Sequence, residues 1–115
     1  MPDTSQPPPR LLSPDVGTTV LHHERADGVL EGSPTTATRR IGELGDVEVG
    51  IWEMSPGTVR DIEVDEIFVV LSGAGKVEFQ NGEVLDLSPG MAVQLHAGEH
   101  TTWTITEALR KIWVA

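Results

Sequence analysis

The sequence predicts an all-β domain that is rolled into a small barrel or sandwich. Residues 66–103 form a series of short apolar or alternating stretches, with glycine at positions 73, 75, 82, 90 and 98. Such spacing is typical of consecutive antiparallel strands that are joined by tight turns. No stretch has a convincing helical period, and residues 107–111 could make one turn at most.

The amino-terminal part is predicted to stand apart from the barrel. Residues 1–15 hold five prolines and few large apolar side chains, so we expect a disordered or extended Pro-rich segment there. Leu11 and Leu12 could pin part of this segment to the barrel, which we assign to residues 16–115. A chain of 115 residues is expected to form one domain.

Alternation with a period of two, together with turn residues, predicts about nine or ten short strands. The first lies at 16–24, followed by a loop at 28–38 and a short strand or turn at 39–45. Seven further strands are predicted at 47–54, 67–71, 76–80, 83–87, 91–96, 101–106 and 110–114. Asn81-Gly82 is the favoured pair for a two-residue type I′ hairpin turn, because both central residues need a positive φ.

The composition disfavours several classes of partner. Eight basic against eighteen acidic residues give a net charge of −10, and an acidic surface repels nucleic-acid phosphates. The chain has no cysteine, which excludes disulfides and thiolate metal sites and fits a reducing compartment. Residues 1–10 lack signal-peptide features, and no apolar run reaches the ~20 residues of a membrane helix. We therefore expect a cytoplasmic protein with neither a nucleic-acid nor a membrane partner.

Five segments carry a family resemblance: GIWEMSPG (50–57), DEIFVVLSGAGKVEF (65–79), NGE (81–83), LSPGMAVQLHAGEHTTW (87–103) and LRKIWVA (109–115). They resemble the cupins, and more closely the small single-domain cupins grouped with the cupin domain of (S)-ureidoglycine aminohydrolase. An ethanolamine-utilisation cupin is a further relative. The resemblance implies a single-domain cupin, that is, a double-stranded β-helix or jelly-roll barrel with a small-molecule cavity.

The resemblance also implies a degenerate metal site. Glu66 matches the glutamate of the first cupin motif, but that motif's two histidine positions fall on Arg60 and Ile62. The histidine position of the second motif falls on Thr101. A displaced site for Mn, Fe, Ni or Zn would have to use Glu66 with His96 and His100, which flank a turn.

The candidate cavity residues are Trp52, Arg60, Glu66, Phe68 and Trp103. Glu66 opens an apolar strand, so it is either a ligand or general base facing the barrel or a hydrogen-bonded structural acid. The two tryptophans are either cavity walls or core filling. Arg60 is expected to pair with Glu66 or to hold a substrate carboxylate. No complete catalytic constellation is present, and no catalytic residue is assigned.

Neighbouring acidic residues offer an alternative cation site. Asp61, Glu63 and Asp65 share one face if the strand is continuous, whereas Glu66 lies on the other. This alternation favours a solvated acidic edge, unless a bulge changes the parity.

Strand 67–71 is apolar on both faces and strand 47–54 nearly so. A second layer, the amino-terminal segment or a second subunit must therefore cover the outside. A symmetric homodimer is expected. Three functions stay open: a small-molecule-binding cupin, a metal-dependent aminohydrolase or isomerase for a small nitrogenous or carboxylated metabolite, and a non-catalytic dimeric assembly module. Whether the protein is an enzyme stays open with them.

Overall fold

The structure, a computed structural model, describes residues 9–115 and contains nine strands in this range. They are β1 (Glu24–Arg25), β2 (Val29–Glu31), β3 (Thr35–Leu44), β4 (Val47–Met54), β5 (Gly57–Ile62), β6 (Glu66–Phe79), β7 (Val84–Leu87), β8 (Ala92–Leu95) and β9 (His100–Val114). The all-β prediction is confirmed. Within residues 9–115 no helix is available that could cross a bilayer.

Two layers share the long strands β6 and β9. The carboxyl-terminal half of β9 lies between β4 and the first half of β6, which also pairs with β8. The amino-terminal half of β9 lies between β5 and the second half of β6, which also pairs with β7. All these pairings are antiparallel. The result is a curled jelly roll whose two layers enclose one core.

The sequence divides each long strand in two, and this prediction is wrong. The β6–β9 ladder continues through register shifts between Val70 and Gly75, which bend both strands from one layer into the other. Gly73 lies at this bend with φ +94°, and a Cβ there would overlap the carbonyl of Ala108. Glycines in this region therefore mark a bend rather than the ends of strands.

The hairpin after β6 also differs from its prediction. Gly82 has φ +95°, whereas Asn81 does not have a positive φ. The Gly82 amide donates to the Phe79 carbonyl at 2.9 Å, and the Phe79 amide donates to the Glu83 carbonyl at 2.8 Å. The connection is thus a three-residue loop with glycine in the left-handed position, a form that needs positive φ at one residue only.

The amino-terminal segment packs outside the barrel. Residues 9–23 contain no strand, so the strand predicted at 16–24 is reduced to β1, and the loop predicted at 28–38 contains β2 and the start of β3. The Arg110 guanidinium donates to the carbonyls of Val16 and Thr19 at 2.9 and 2.8 Å. This segment therefore covers part of the outer face of the first layer. The first eight residues of the predicted Pro-rich segment lie outside the described residues.

Candidate ligand-binding cavity

A cavity of about 440 Å³ opens between the two layers. Its lining includes Trp52, Glu63, Glu66, Trp103, Lys111 and Trp113. Strand pairing explains this set, because partners across an antiparallel ladder project to the same face. Trp52 is opposite Lys111 in the first layer, and Trp103 is opposite Val59 and Val77 in the second. All three tryptophans of the chain therefore border one hollow.

Glu66 is paired at the base of the cavity with a residue that the sequence reasoning missed. Lys111 Nζ donates to Glu66 Oε2 at 2.6 Å. The two side chains are 7% and 13% exposed. Burial of both charges is compensated by this short charge-assisted hydrogen bond.

Three aromatic rings surround the same ammonium group. Lys111 Nζ lies 4.3 Å from the ring centroid of Phe68 and 4.8 Å from those of Trp52 and Trp103. The two indole centroids are 5.7 Å apart, as are those of Phe68 and Trp103. Cation–π attraction adds to the ion pair here, because the rings exclude water from the charge. We call these three rings the aromatic cage.

Glu63 is the second missed residue and holds a carboxylate at the cavity wall. It is 8% exposed. Its Oε2 accepts hydrogen bonds from Thr101 Oγ1 at 2.6 Å and from Trp103 Nε1 at 2.9 Å. Burial raises the pKa of Glu63 above the ordinary carboxyl value, although the hydrogen bonds from Thr101 and Trp103 oppose this shift.

The position of Arg60 corrects its expected role. Arg60 is opposite Thr102 on the ladder, whereas Asp61 and Val59 are opposite Thr101 and Trp103. Arg60 therefore borders the mouth of the cavity from an outward-facing strand position and is exposed. Glu66 pairs with Lys111 instead of Arg60. The expected pairing with Glu66 is wrong because the spacing of the motif does not show which face of β5 turns inward.

The acidic residues before β6 also differ from the alternation argument. Asp61, Glu63 and Glu66 all line the cavity, because β5 ends at Ile62 and a connection precedes β6. Asp65 does not line the cavity, and its Oδ1 accepts a hydrogen bond from the Ala97 amide at 2.9 Å. The alternation of faces does not continue through a connection between strands. The prediction that Glu63 and Glu66 lie on opposite faces is therefore wrong.

The fold family implies a metal, but the residues present do not fit one. The Glu66 carboxylate is held by an ammonium group, and Thr101 directs its hydroxyl to Glu63. His96 is exposed and interacts with Glu99 at 3.3 Å. Residues 9–115 contain no group of three histidine, aspartate or glutamate side chains that could hold a metal ion. Glu66, His96 and His100 are therefore not brought together as ligands.

One of the two missed residues left a signal in the sequence. Lys111 and Trp113 are two residues apart in the last predicted strand, so the sequence already predicts that they lie on the same face. Glu63 left no comparable signal, because it lies in a connection where alternation does not hold. Phe68, 1% exposed, lies in the core beneath Lys111 rather than on the cavity wall.

Comparison with known proteins places this geometry in a family. The model of the EutQ-like cupin domain matches residues 41–113. No curated protein matches the chain. Among solved structures, EutQ of Clostridium difficile is 21% identical with a TM-score of 0.61, over 70% of this chain and 61% of that one. This chain thus spans about three fifths of that EutQ structure.

Two further structures have the same fold. A protein of unknown function from Rhizobium leguminosarum bv. viciae is 26% identical with a TM-score of 0.63, over 69% of this chain and 78% of that one. Another protein of unknown function, from Pseudomonas syringae pv. tomato, is 20% identical with a TM-score of 0.74, over 87% of this chain and 45% of that one. The predicted single-domain cupin jelly roll is confirmed, and the chain belongs to the family of EutQ-like cupin domains.

Proposed function

We propose that the protein is a small-molecule-binding cupin in which the Lys111–Glu66 pair, rather than a metal ion, forms the charged base of the cavity. The observation that carries the proposal is the cavity of about 440 Å³, which combines three indole rings with the Glu63 carboxylate. Ligand sites typically have this size, with apolar walls and a few fixed polar groups.

The charged base compensates the Glu66 carboxylate without a metal ion. Lys111 is buried and brings one positive charge to Glu66, so no added ion is needed. The predicted alternative, a metal-dependent aminohydrolase or isomerase, needs three ligands that converge on one point. Two of the motif's ligand positions are Thr101 and Glu66. Thr101 donates its hydroxyl to Glu63, and Glu66 is paired with Lys111.

A ligand screen on the purified protein tests the proposal. Intrinsic tryptophan fluorescence and the melting temperature should both respond to a bound metabolite, because every tryptophan borders the cavity. Thr38 lines the cavity and is exposed, so Thr38→Phe should narrow the cavity and weaken the response. Thr106→Phe, at an exposed position of β9, is the matched control and should respond like the wild type. An affinity that Thr38→Phe leaves unchanged would contradict the cavity as the site.

A second candidate function, assembly as a homodimer, has a separate observation in its favour. An apolar strip on the outer face of the first layer consists of Leu44, Val47, Ile67 and Val114, which are 78%, 38%, 49% and 41% exposed. Leu44 is opposite Val47, and Ile67 is opposite Val114. Strand pairing puts all four on one face, because Val49, on the same face of β4 as Val47, is also opposite Val114. A second copy would remove this strip from water.

Sedimentation velocity over a dilution series tests the dimer. Ile67→Lys should shift the equilibrium to monomer, because it buries a charge in the contact. Val84→Lys is the control, since Val84 is 48% exposed and lies on β7, away from the strip. A wild-type protein that stays monomeric at high concentration would refute the dimer.

A further inference from the structure

The charges of the cavity favour one class of ligand. Lys111 is not available to an anion, because its ammonium group lies 2.6 Å from Glu66 and inside the aromatic cage. Asp27, Asp61 and Glu63 are the other acidic groups of the lining, and Arg60 is the other basic one. Arg60 occupies an outward-facing position on β5. The mouth of the cavity therefore carries an excess of negative charge, which attracts cations.

Glu63 presents a hydrogen-bond acceptor in this negative region. Its side chain is fixed, because Oε2 accepts hydrogen bonds from Thr101 and Trp103. Its other oxygen, Oε1, receives no hydrogen bond from any residue of the range 9–115. A carboxylate at 8% exposure interacts more strongly with a bound cation than one in bulk water does.

The indole rings add a second source of cation affinity. Trp52, Trp103 and Trp113 all border the cavity. An organic cation can place its charge near a carboxylate and its carbon atoms against ring faces. The molecule already holds one ammonium group in this way, since Lys111 combines a carboxylate at 2.6 Å with indole centroids at 4.8 Å.

We infer that the cavity binds a small organic ammonium ion, whose charged group pairs with Glu63 and whose carbon skeleton packs on the indole rings. This inference rests on the proposed function, because it assumes that the cavity is a ligand site. It adds the chemical class of the ligand and assigns Glu63 as the residue that selects for charge.

Three probes of similar size and different charge test this inference. Butylammonium, n-butanol and butyrate are titrated into the protein, and binding is measured by tryptophan fluorescence and calorimetry. Butylammonium should bind at least about tenfold more tightly than the other two, as a partly desolvated ion pair with cation–π contacts would give. Glu63→Gln should remove most of this preference, although Asp27 and Asp61 remain at the mouth. Glu43→Gln, at an exposed site in β3, should leave its affinity unchanged.

The outcomes separate the two proposals. If butyrate or n-butanol binds as well as butylammonium, or if Glu63→Gln retains the preference for butylammonium, the cation assignment is overturned and the cavity still stands as a ligand site. If none of the probes and no metabolite of the screen binds, both proposals are overturned. Glu63→Gln keeps an oxygen that can accept from Thr101 and Trp103, so the variant should fold, and circular dichroism will check this.

Discussion

Replacement of Lys111 by methionine gives the most direct test of the charged base. Methionine keeps an unbranched apolar stem of similar length, so the substitution removes the ammonium group and little packing. Glu66 would then be a carboxylate with a 13% exposed side chain and no cation at 2.6 Å. Breaking a buried pair from one side typically costs about 3–5 kcal/mol, and cation–π contacts to the aromatic cage are lost as well.

We therefore expect Lys111→Met to lower the free energy of unfolding at neutral pH by about 4 kcal/mol, which corresponds to a fall in melting temperature of roughly 10–20 °C for a domain of this size. The assay is urea denaturation followed by circular dichroism. The control is Lys76→Met, because Lys76 pairs with Glu78 at 3.3 Å with both side chains more than 40% exposed. That exposed pair should contribute less than about 1 kcal/mol.

A double-mutant cycle completes this test. In Lys111→Met/Glu66→Met both charges are absent, so most of the stability should return, because no buried carboxylate is left uncompensated. If Lys111→Met costs less than about 1 kcal/mol, or if the two single effects simply add in the double variant, the pair is not coupled and the reasoning fails.

Three further predictions follow from pKa directions and backbone geometry. The pKa of Glu63 is raised above the ordinary value of 4.5. Its contribution to folding stability is therefore complete below pH 4.5 and is lost as the pH rises through the raised pKa. Urea denaturation across this pH range should show the wild type losing stability relative to Glu63→Gln. Burial raises the pKa of Glu53, but hydrogen bonds from Arg110 and His23 outweigh it and the pKa is lowered, so stability present above pH 4.5 should be lost on acidification, and Glu53→Gln should flatten this acid limb. Gly73→Ala should lower the free energy of unfolding more than Gly82→Ala in the same denaturation assay. Both glycines have φ near +95°, but of the two only Gly73 lies against backbone atoms.

The contrary results are equally specific. A wild-type protein that gains stability over Glu63→Gln with rising pH would contradict the burial of that carboxylate. An unchanged acid limb in Glu53→Gln would show that the Arg110 contact at 2.7 Å contributes nothing to folding. Equal losses in the free energy of unfolding for the two glycine variants would contradict a steric requirement for glycine at the bend.

The sequence predicts the fold because the pattern of side chains and turns is local. Turn residues bound strands β4, β7 and β8 in the sequence, and these strands lie within one residue of their predicted bounds. The long strands β6 and β9 were divided, since a glycine that ends a strand and one that bends it look alike in sequence.

The cavity was predicted only in part, for a different reason. Trp103 shares its strand parity with Thr101, the second-motif position, so the resemblance directs both Trp103 and Glu66 to the barrel interior. The partner of Glu66 depends on which residues of β9 and β6 are opposite each other, and Val70 is opposite Lys111 only because of the register that the bulges set. Glu63 is positioned by backbone bonds of a connection, where its amide donates to Glu99 and its carbonyl accepts from Gly98.

Strand β9 runs through both layers without interruption and carries Trp103, Lys111 and Trp113 on one continuous backbone. The two walls of the hollow are therefore tied together covalently as well as by hydrogen bonds, and β6 ties them a second time. Hinge-like separation of the layers would have to deform the β6–β9 ladder at its bend. Ligands should accordingly bind to a preformed cavity. Selectivity should depend on their fit to this cavity and not on a later closure of the layers.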